Sequence, residues 1–263
     1  VNYISGKLLW AKNYKIPFRS NLKISENIIY ISNINNTLLL LDKSNGDKIK
    51  TIPTEETIVK NDYVNSLAID KKSLFYLNTY GSIYSLNSLG GINWFASLNQ
   101  SSEANPTNIF YSNPILLYKG KLIVSTDPYL YILNSKNGFT ISKSPITSIF
   151  KPIVSGENLF LITKDNLLVA INIITGKIIY SIDISQQIAN FLDTKNKSIS
   201  IKSFSILNDS LFIFLNNSYL VKFTSKGKIF NINKLPAKLS SKPIFINGSI
   251  IYLNNKNKLI LFN

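Results

Sequence analysis

The side chains that carry out most enzyme chemistry are sparse in this chain of 263 residues. It contains no Cys and no His. These absences exclude a cysteine nucleophile, a Ser-His-Asp triad, an ordinary zinc or haem site and a disulfide bond. The remaining groups suited to acid–base work are 14 carboxylates.

The carboxylates that stand out share no common position along the chain, and all fall in predicted turns or loops. They are Glu55, Glu56, Asp62, Glu103, Asp165 and Asp193. A carboxylate in a turn is typically solvated, and no glycine-rich phosphate loop leads into a helix. We therefore predict that the chain is not an enzyme and has no catalytic, cofactor-binding or metal-binding residues.

The elements that carry these turns are short strands. The segment 152–180 is predicted to form four of them: Pro152–Val154, Leu159–Thr163, Leu167–Asn172 and Lys177–Tyr180. Apolar and β-branched runs bounded by Gly, Asn, Asp and Ser are typical of strands, and the connections have hairpin length.

The third strand and the turn after it recur along the chain. The recurring pattern is two apolar residues three positions apart, followed directly by Asp, Asn or Thr. In five copies a glycine follows three or four positions after the polar residue, and we expect it at positive φ. The polar residues are Asp42, Asn87, Asn134, Asn172, Thr224 and Asn263, and the glycines are Gly46, Gly91, Gly138, Gly176 and Gly227. The glycines are 45, 47, 38 and 51 residues apart. This spacing predicts an all-β fold, a β-propeller of four-stranded antiparallel blades, whereas a β-sandwich would require accidental similarity of six hairpins.

We predict one propeller domain over residues 1–263. The blades are predicted at 18–52, 64–97, 112–145, 150–184, 203–234 and 241–263. Residues 5–11 resemble a fourth strand without its blade. They either close the last blade into a six-bladed ring or finish an absent upstream blade of a longer array.

Composition limits the class of partner. The hydrophobic content of 45% is typical of a globular protein, and no apolar run reaches membrane-spanning length. The net charge of +15 comes from lysines scattered through turns. We interpret it as a solvated basic surface or a contact with an anionic membrane surface, and we expect no nucleic acid.

The best copy of the repeat resembles the pyrroloquinoline-quinone-type propeller repeat. Pro152, Gly156, Asn172, Gly176-Lys177 and Tyr180 carry the resemblance. One branch of that superfamily, the quinoprotein dehydrogenases, implies a quinone and a calcium ion held with a vicinal cysteine pair and a tryptophan motif in each blade. This chain has no Cys and only Trp10 and Trp94, so the dehydrogenase function is the alternative.

The other branch is the BamB family of outer-membrane-protein assembly factors, which the chain resembles down to a long loop at Asn99–Asn113. The resemblance implies a non-catalytic scaffold, a periplasmic lipoprotein at the outer membrane without a cofactor. Its partner would be the barrel-insertion subunit of the assembly complex, and it would be a monomer outside that complex. The family usually has eight blades, so a C-terminal fragment of about six is expected. A propeller that binds another protein or carbohydrate is a further alternative.

Three connections between blades are long: Pro53–Asn65, Asn99–Asn113 and Ser185–Ser203. The third is predicted to hold a helix at Gln186–Leu192 with Ile188, Phe191 and Leu192 on one side. By resemblance, the first two bind the partner. The predicted partner-binding residues are Thr57, Val59, Asp62, Tyr63, Asn108, Ile109, Phe110 and Tyr111.

Overall fold

The computed structural model describes residues 1–57, 62–99 and 110–263. Within these residues the chain forms six antiparallel sheets and one α-helix. Two compact units, Val1–Thr147 and Ser148–Asn263, divide the chain. Each unit carries three sheets. The predicted all-β fold of repeated four-stranded blades is confirmed.

The first unit holds blades 1 to 3, each with its four strands in chain order. Blade 1 comprises β1 (Lys23–Ser25), β2 (Ile28–Ser32), β3 (Leu38–Asp42) and β4 (Lys48–Ile52). Blade 2 comprises β5 (Ser66–Ile69), β6 (Leu74–Leu77), β7 (Ser82–Leu86) and β8 (Ile92–Ser97). Blade 3 comprises β9 (Leu116–Tyr118), β10 (Lys121–Ser125), β11 (Leu130–Asn134) and β12 (Thr140–Ser144).

The second unit holds blades 4 to 6 and the helix. Blade 4 comprises β13 (Ile153–Ser155), β14 (Asn158–Ile162), β15 (Leu167–Asn172) and β16 (Ile178–Asp183), followed by α1 (Ile184–Leu192). Blade 5 comprises β17 (Ile201–Leu207), β18 (Ser210–Leu215), β19 (Tyr219–Thr224) and β20 (Ile229–Lys234). Blade 6 has three strands, β21 (Ile244–Ile246), β22 (Ser249–Leu253) and β23 (Leu259–Phe262).

The second and third strands of the blades form the core. In blade 4, for example, Phe160 on β14 and Ala170 on β15 are buried. Their side chains join Ile213 and Val221 of blade 5 in one apolar cluster. The fourth strands are mostly exposed, as in β4. Apolar burial between adjacent blades of a unit therefore holds those blades together.

A shared irregularity marks the pairing of the third and fourth strands in the five four-stranded blades. The register shifts by one residue near the end of the third strand, for instance between Ala170 and Ile171 in blade 4. The turn that follows contains a glycine at positive φ in each of these blades. These glycines are Gly46, Gly90, Gly138, Gly176 and Gly227.

Two local predictions need correction. In blade 2 the glycine at positive φ is Gly90, at 74°, whereas Gly91 was predicted. Asn87 accepts the Gly90 N–H at 3.0 Å, which makes this turn one residue shorter than the turn at Gly138. The predicted helix at Gln186–Leu192 exists but begins two residues earlier, because Asp183 caps its N-terminus by accepting the Gln186 N–H.

The segment 5–11 belongs to none of the named strands. Whether it closes the last blade or follows an upstream blade stays a prediction, as does the single domain over 1–263. Among the described residues, no helix combines the length and apolar character needed to cross a membrane.

Candidate functional site

The two loops predicted to bind a partner meet through their aromatic residues. The rings of Tyr63 and Tyr111 pack edge to face, with centroids 5.1 Å apart and planes at 64°. Both side chains remain about two-fifths exposed, at 38% and 41%, and the neighbouring Val64 is 55% exposed. We call Tyr63, Val64 and Tyr111 the tyrosine patch. A paired, partly exposed aromatic surface of this kind is suited to bind another protein.

Phe110, another of the predicted partner-binding residues, packs inward, and its role in binding stays a prediction. Its ring lies against the apolar cluster between blades 2 and 3. A Cβ atom on Gly81 would come within 2.8 Å of this ring, so the glycine makes room for it. The Phe110 N–H also donates to the Thr79 carbonyl at 2.9 Å. Phe110 therefore anchors the loop, and its neighbour Tyr111 is the exposed residue.

The other predicted residues fall in three groups. Asp62 is exposed beside Tyr63, and Thr57 is half-buried. Val59, Asn108 and Ile109 lie outside the described residues. The structure thus brings Tyr63 and Tyr111 together, and their role in binding stays a prediction.

A network of hydrogen bonds holds the start of the first loop. Glu55 accepts from the Tyr84 hydroxyl at 2.6 Å, from Asn78 Nδ2 at 3.0 Å and from Ser82 Oγ at 3.0 Å. The Glu55 carbonyl accepts from Asn36 Nδ2 at 2.8 Å. The backbone at Glu55 is therefore fixed to blade 1 and its carboxylate to blade 2.

A second set of hydrogen bonds holds the end of the same loop. The buried Asn65 amide donates to Ser32 Oγ at 2.9 Å and to the Asn33 carbonyl at 3.1 Å. Asn65 Oδ1 accepts the Thr79 N–H at 3.0 Å. Tyr63 and Val64 of the tyrosine patch therefore lie in a loop whose two ends are fixed by buried polar contacts.

Glu55 departs from the solvated state predicted for it. Burial raises the pKa of its carboxyl, but hydrogen bonds from Tyr84, Ser82 and Asn78 lower it more, and the pKa lies below the usual 4.5. Burial and the Glu55 carboxylate both raise the pKa of Tyr84. Sequence reasoning missed this cluster because Glu55 is 23 to 29 residues away from its three donors along the chain. By contrast, Asp62, Asp165 and Asp193 are exposed, as predicted.

Aromatic residues in the middle of β8 and β16, and Trp10 ahead of β1, dock on the blade that follows them. Trp94 donates through Nε1 to the Ser135 carbonyl at 2.9 Å, and its ring covers Gly138. The equivalent contacts join Trp10 to the Lys43 carbonyl and Gly46, and Tyr180 to the Ser225 carbonyl and Gly227. Burial raises the pKa of Tyr180 to about 12. Trp10 thus contacts blade 1 as Trp94 contacts blade 3, although residues 5–11 form no strand.

These contacts bear on the quinone and calcium implied by the dehydrogenase branch. The chain lacks the cysteines of the vicinal pair, and both tryptophans pack at turns between third and fourth strands. Among the described residues, no group of three or more Asp and Glu side chains is placed to hold a metal ion. The residues therefore do not fit the quinone–calcium group of that branch.

Comparison with known proteins gives one curated relative and many structures of similar fold. The chain is 24% identical over 180 residues to the outer membrane protein assembly factor BamB of Legionella pneumophila (strain Paris), a match that covers 62% of this chain and 43% of that protein. It superposes on the crystal structure of BamB from Moraxella catarrhalis with a TM-score of 0.72 and 14% identity, over 97% of this chain and 75% of that one. The chain has a β-propeller fold and resembles BamB in sequence and structure.

A dehydrogenase shares the fold more distantly. The quinohemoprotein alcohol dehydrogenase of Comamonas testosteroni gives a TM-score of 0.59 and 11% identity, over 93% of this chain and 46% of that one. No family model matches the chain. The sequence match spans less than half of the Legionella protein. For this chain, the activity and partners of that protein are therefore only a proposal.

Proposed function

We propose that this BamB-like chain is a non-catalytic scaffold in the assembly of outer-membrane proteins. It binds the barrel-insertion subunit of the assembly complex through its interblade loops. The observation that carries the proposal is the contact of Tyr63 with Tyr111, which joins the two loops predicted to bind the partner. The sequence similarity to a BamB protein supports the assembly role.

The surroundings of the tyrosine patch suit recognition of a protein. The two tyrosines offer apolar area with hydroxyl groups at its edge, and tyrosine is enriched at binding hot spots. Hydrogen bonds of Glu55 and Asn65 hold the two ends of the first loop, and the packing of Phe110 holds the neighbouring Tyr111, so less conformational entropy is lost at these described residues when the partner binds. The hydrogen bonds of Glu55 give its carboxylate a structural role instead of a catalytic one.

The resemblance also supports a location and a domain organisation. The proposed site of action is the periplasm, at the outer membrane, with a lipoprotein anchor on the complete protein. Residues 1–263 would act as one propeller domain that is monomeric outside the complex.

Loss of the tyrosine patch is expected to weaken binding of the barrel-insertion subunit from the same organism. Replacing Tyr63 and Tyr111 with Ala removes both rings at the centre of the patch. We expect about 30-fold or more lower affinity, since hot-spot side chains contribute about 2 kcal/mol or more. Biolayer interferometry with the purified subunit measures the change.

Tyr219→Ala is the matched control, because Tyr219 is a 37% exposed tyrosine in the second unit. It should bind like the parent protein. If the parent protein binds the subunit and the double variant binds it with the same affinity, the subunit contacts another surface of the chain. No binding by the parent would contradict the proposed function itself.

The alternative dehydrogenase function has its own test. Pyrroloquinoline quinone and calcium would be added to the protein, and the absorbance of the quinone followed. We expect no spectral change, because the residues do not fit that cofactor. A saturable change with bound quinone would overturn the non-catalytic proposal.

A further inference from the structure

One end of the second unit combines apolar and basic residues. Strands alternate in direction, so the turn between the second and third strands and the connection after the fourth strand lie at the same end of a blade. Hydrogen bonds confirm this arrangement around α1. The Asn166 carbonyl accepts the Ile184 N–H at 3.2 Å, and the Ser200 carbonyl accepts the Asn216 N–H at 2.9 Å. We call this the helix end of the unit.

Helix α1 buries one side and exposes part of its apolar surface. Ile184 and Ala189 are buried, and Ile188 packs against the apolar cluster of blades 4 and 5. In the last turn, however, Phe191 and Leu192 are 47% and 50% exposed. The end of the helix therefore presents two adjacent apolar side chains to solvent.

Lysines surround this apolar pair at the helix end. Ten exposed lysines lie in its turns and connections, against three exposed aspartates. The lysines are Lys151, Lys164, Lys195, Lys197, Lys202, Lys234, Lys238, Lys242, Lys256 and Lys258, and the aspartates are Asp165, Asp183 and Asp193. The opposite end of the unit is nearly balanced, with Lys177, Lys226, Lys228, Glu157 and Asp209 in its turns. The excess positive charge of this unit is thus concentrated on the end that carries the helix.

We propose that the helix end of the second unit binds the surface of an anionic phospholipid bilayer. Phe191 and Leu192 enter the headgroup region, and the lysines lie against the lipid phosphates. Apolar residues beside a basic surface are typical of helices that lie in the membrane interface, and each lysine near an anionic leaflet strengthens the attraction to it.

Charge and residue type favour a lipid surface over other anionic partners. The second unit contains no Arg, the side chain best suited to paired recognition of carboxylates and nucleic-acid phosphates. An exposed leucine adds no stacking surface for bases, whereas it gains by entering the acyl boundary. The inference does not depend on the proposed function, since vesicle binding needs no assembly subunit.

The test is co-sedimentation of the full chain with lipid vesicles. Vesicles of phosphatidylcholine with phosphatidylglycerol should bind the chain, and vesicles of pure phosphatidylcholine should not. Binding should be lost at about 1 M salt, because the Debye length is then about 3 Å and the attraction between lysines and lipid phosphates is screened. Two double variants test the surface, one carrying Phe191→Gln and Leu192→Gln, the other Lys195→Glu and Lys197→Glu. Each double variant should bind the anionic vesicles at least about tenfold more weakly than the parent chain, because buried apolar area and lysines both contribute to binding.

Matched controls separate this surface from general charge and hydrophobicity. Lys226→Glu with Lys228→Glu makes the same charge change at the opposite end of blade 5. Phe230→Gln removes a phenylalanine that is 48% exposed, close to the 47% of Phe191. Both controls should bind like the parent chain, and circular dichroism should show all variants folded. Equal loss in the controls, equal binding to neutral vesicles, or retention on DNA or an acidic polypeptide without vesicle binding would overturn the proposal.

Discussion

Glu55 shows how a single residue ties a connection to two blades. It follows β4, yet its carboxylate accepts hydrogen bonds from three side chains on β7 and the turn before it. Its carbonyl accepts from Asn36 in the turn after β2. The residue therefore fixes the start of the loop that leads to the tyrosine patch, and a carboxylate matches the three donors without an unpaired group.

We expect Glu55→Gln to destabilise the protein by about 1 kcal/mol. Hydrogen bonds to a charged group contribute about 1.5–3 kcal/mol, and partial exposure of this side chain reduces the effect. A carboxylate with a lowered pKa contributes stability that is complete above the usual pKa of 4.5 and is lost as the pH falls through the folded-state value. The difference between parent and variant should therefore shrink below about pH 4.5, as measured by urea unfolding at several pH values.

The adjacent Glu56 provides the control, since it is exposed. Glu56→Gln should leave the unfolding midpoint within experimental error at neutral pH. An equal loss in both variants, or a Glu55→Gln effect that grows as the solution is acidified, would contradict the assignment of the hydrogen-bonded carboxylate.

For single residues, the sequence predicts whether a residue lies in a loop better than it predicts which other side chains that residue contacts. Tyr63 and Tyr111 were predicted as loop residues because they lie between strands, and both are exposed. Their mutual contact spans 48 positions, and no local pattern signals it. The same limit led to the wrong prediction for Glu55, whose hydrogen-bond donors lie on another blade. Phe110 and Tyr111 are adjacent and aromatic, so sequence alone gave no reason for one to pack inward.

Among the elements, the turn between third and fourth strands has two roles. Its glycine takes a positive φ in the five four-stranded blades, and in blades 1, 3 and 5 it also leaves space for an aromatic ring of the preceding segment. At Gly138, a Cβ atom would lie 2.6 Å from Cε3 of Trp94. Trp94 in turn donates to the carbonyl of Ser135 in the same turn. The glycine is therefore required both for the hairpin and for the contact between blades 2 and 3.

Gly138→Ala is expected to destabilise the protein by about 2–5 kcal/mol. A side chain at positive φ costs about 1–2 kcal/mol, and overpacking against the Trp94 ring adds about 1–3 kcal/mol. Urea unfolding followed by the fluorescence of Trp94 measures the loss, because displacement of the ring also changes its emission.

Gly120 is a matched control in the same blade. Its φ is 75°, against 74° at Gly138, but the nearest atom to its Cβ position is Ser135 Oγ at 3.9 Å. Gly120→Ala should cost only the backbone part, about 1–2 kcal/mol. Equal losses at the two glycines would show that the docked tryptophan adds nothing to the requirement.

For helix α1, the periodicity of apolar residues predicts that the helix exists and where it ends, but not where it begins. Its existence followed from the apolar spacing, and its end at Leu192 was predicted correctly. The start was missed because the N-cap Asp183 also belongs to β16, and the strand continues directly into the helix.

For the whole molecule, the repeat made the architecture predictable. Strand length, hairpin spacing and turn residues are local properties, and six copies reinforce one another where one copy would be ambiguous. The register shift near the end of the third strand recurs in five blades, although the sequence carries no separate signal for it. The number of blades in the complete protein and the single domain over 1–263 stay predictions, because they depend on contacts that no repeat encodes.

The repeat also predicts a common pattern of amide hydrogen exchange. Third strands such as β3 and β15 are buried and paired on both sides, whereas fourth strands such as β4 and β16 pair only with the third strand of their own sheet and are mostly exposed. Amides open in proportion to local burial and pairing, so peptides from the third strands should exchange slowest in every blade and those from the fourth strands sooner. Exchange followed by mass spectrometry at two protein concentrations distinguishes the causes. Fourth strands that exchange as slowly as third strands at both concentrations would contradict the expectation that they are paired on one side only. Protection of the fourth strands that rises with protein concentration would instead show that copies of the chain pair with one another.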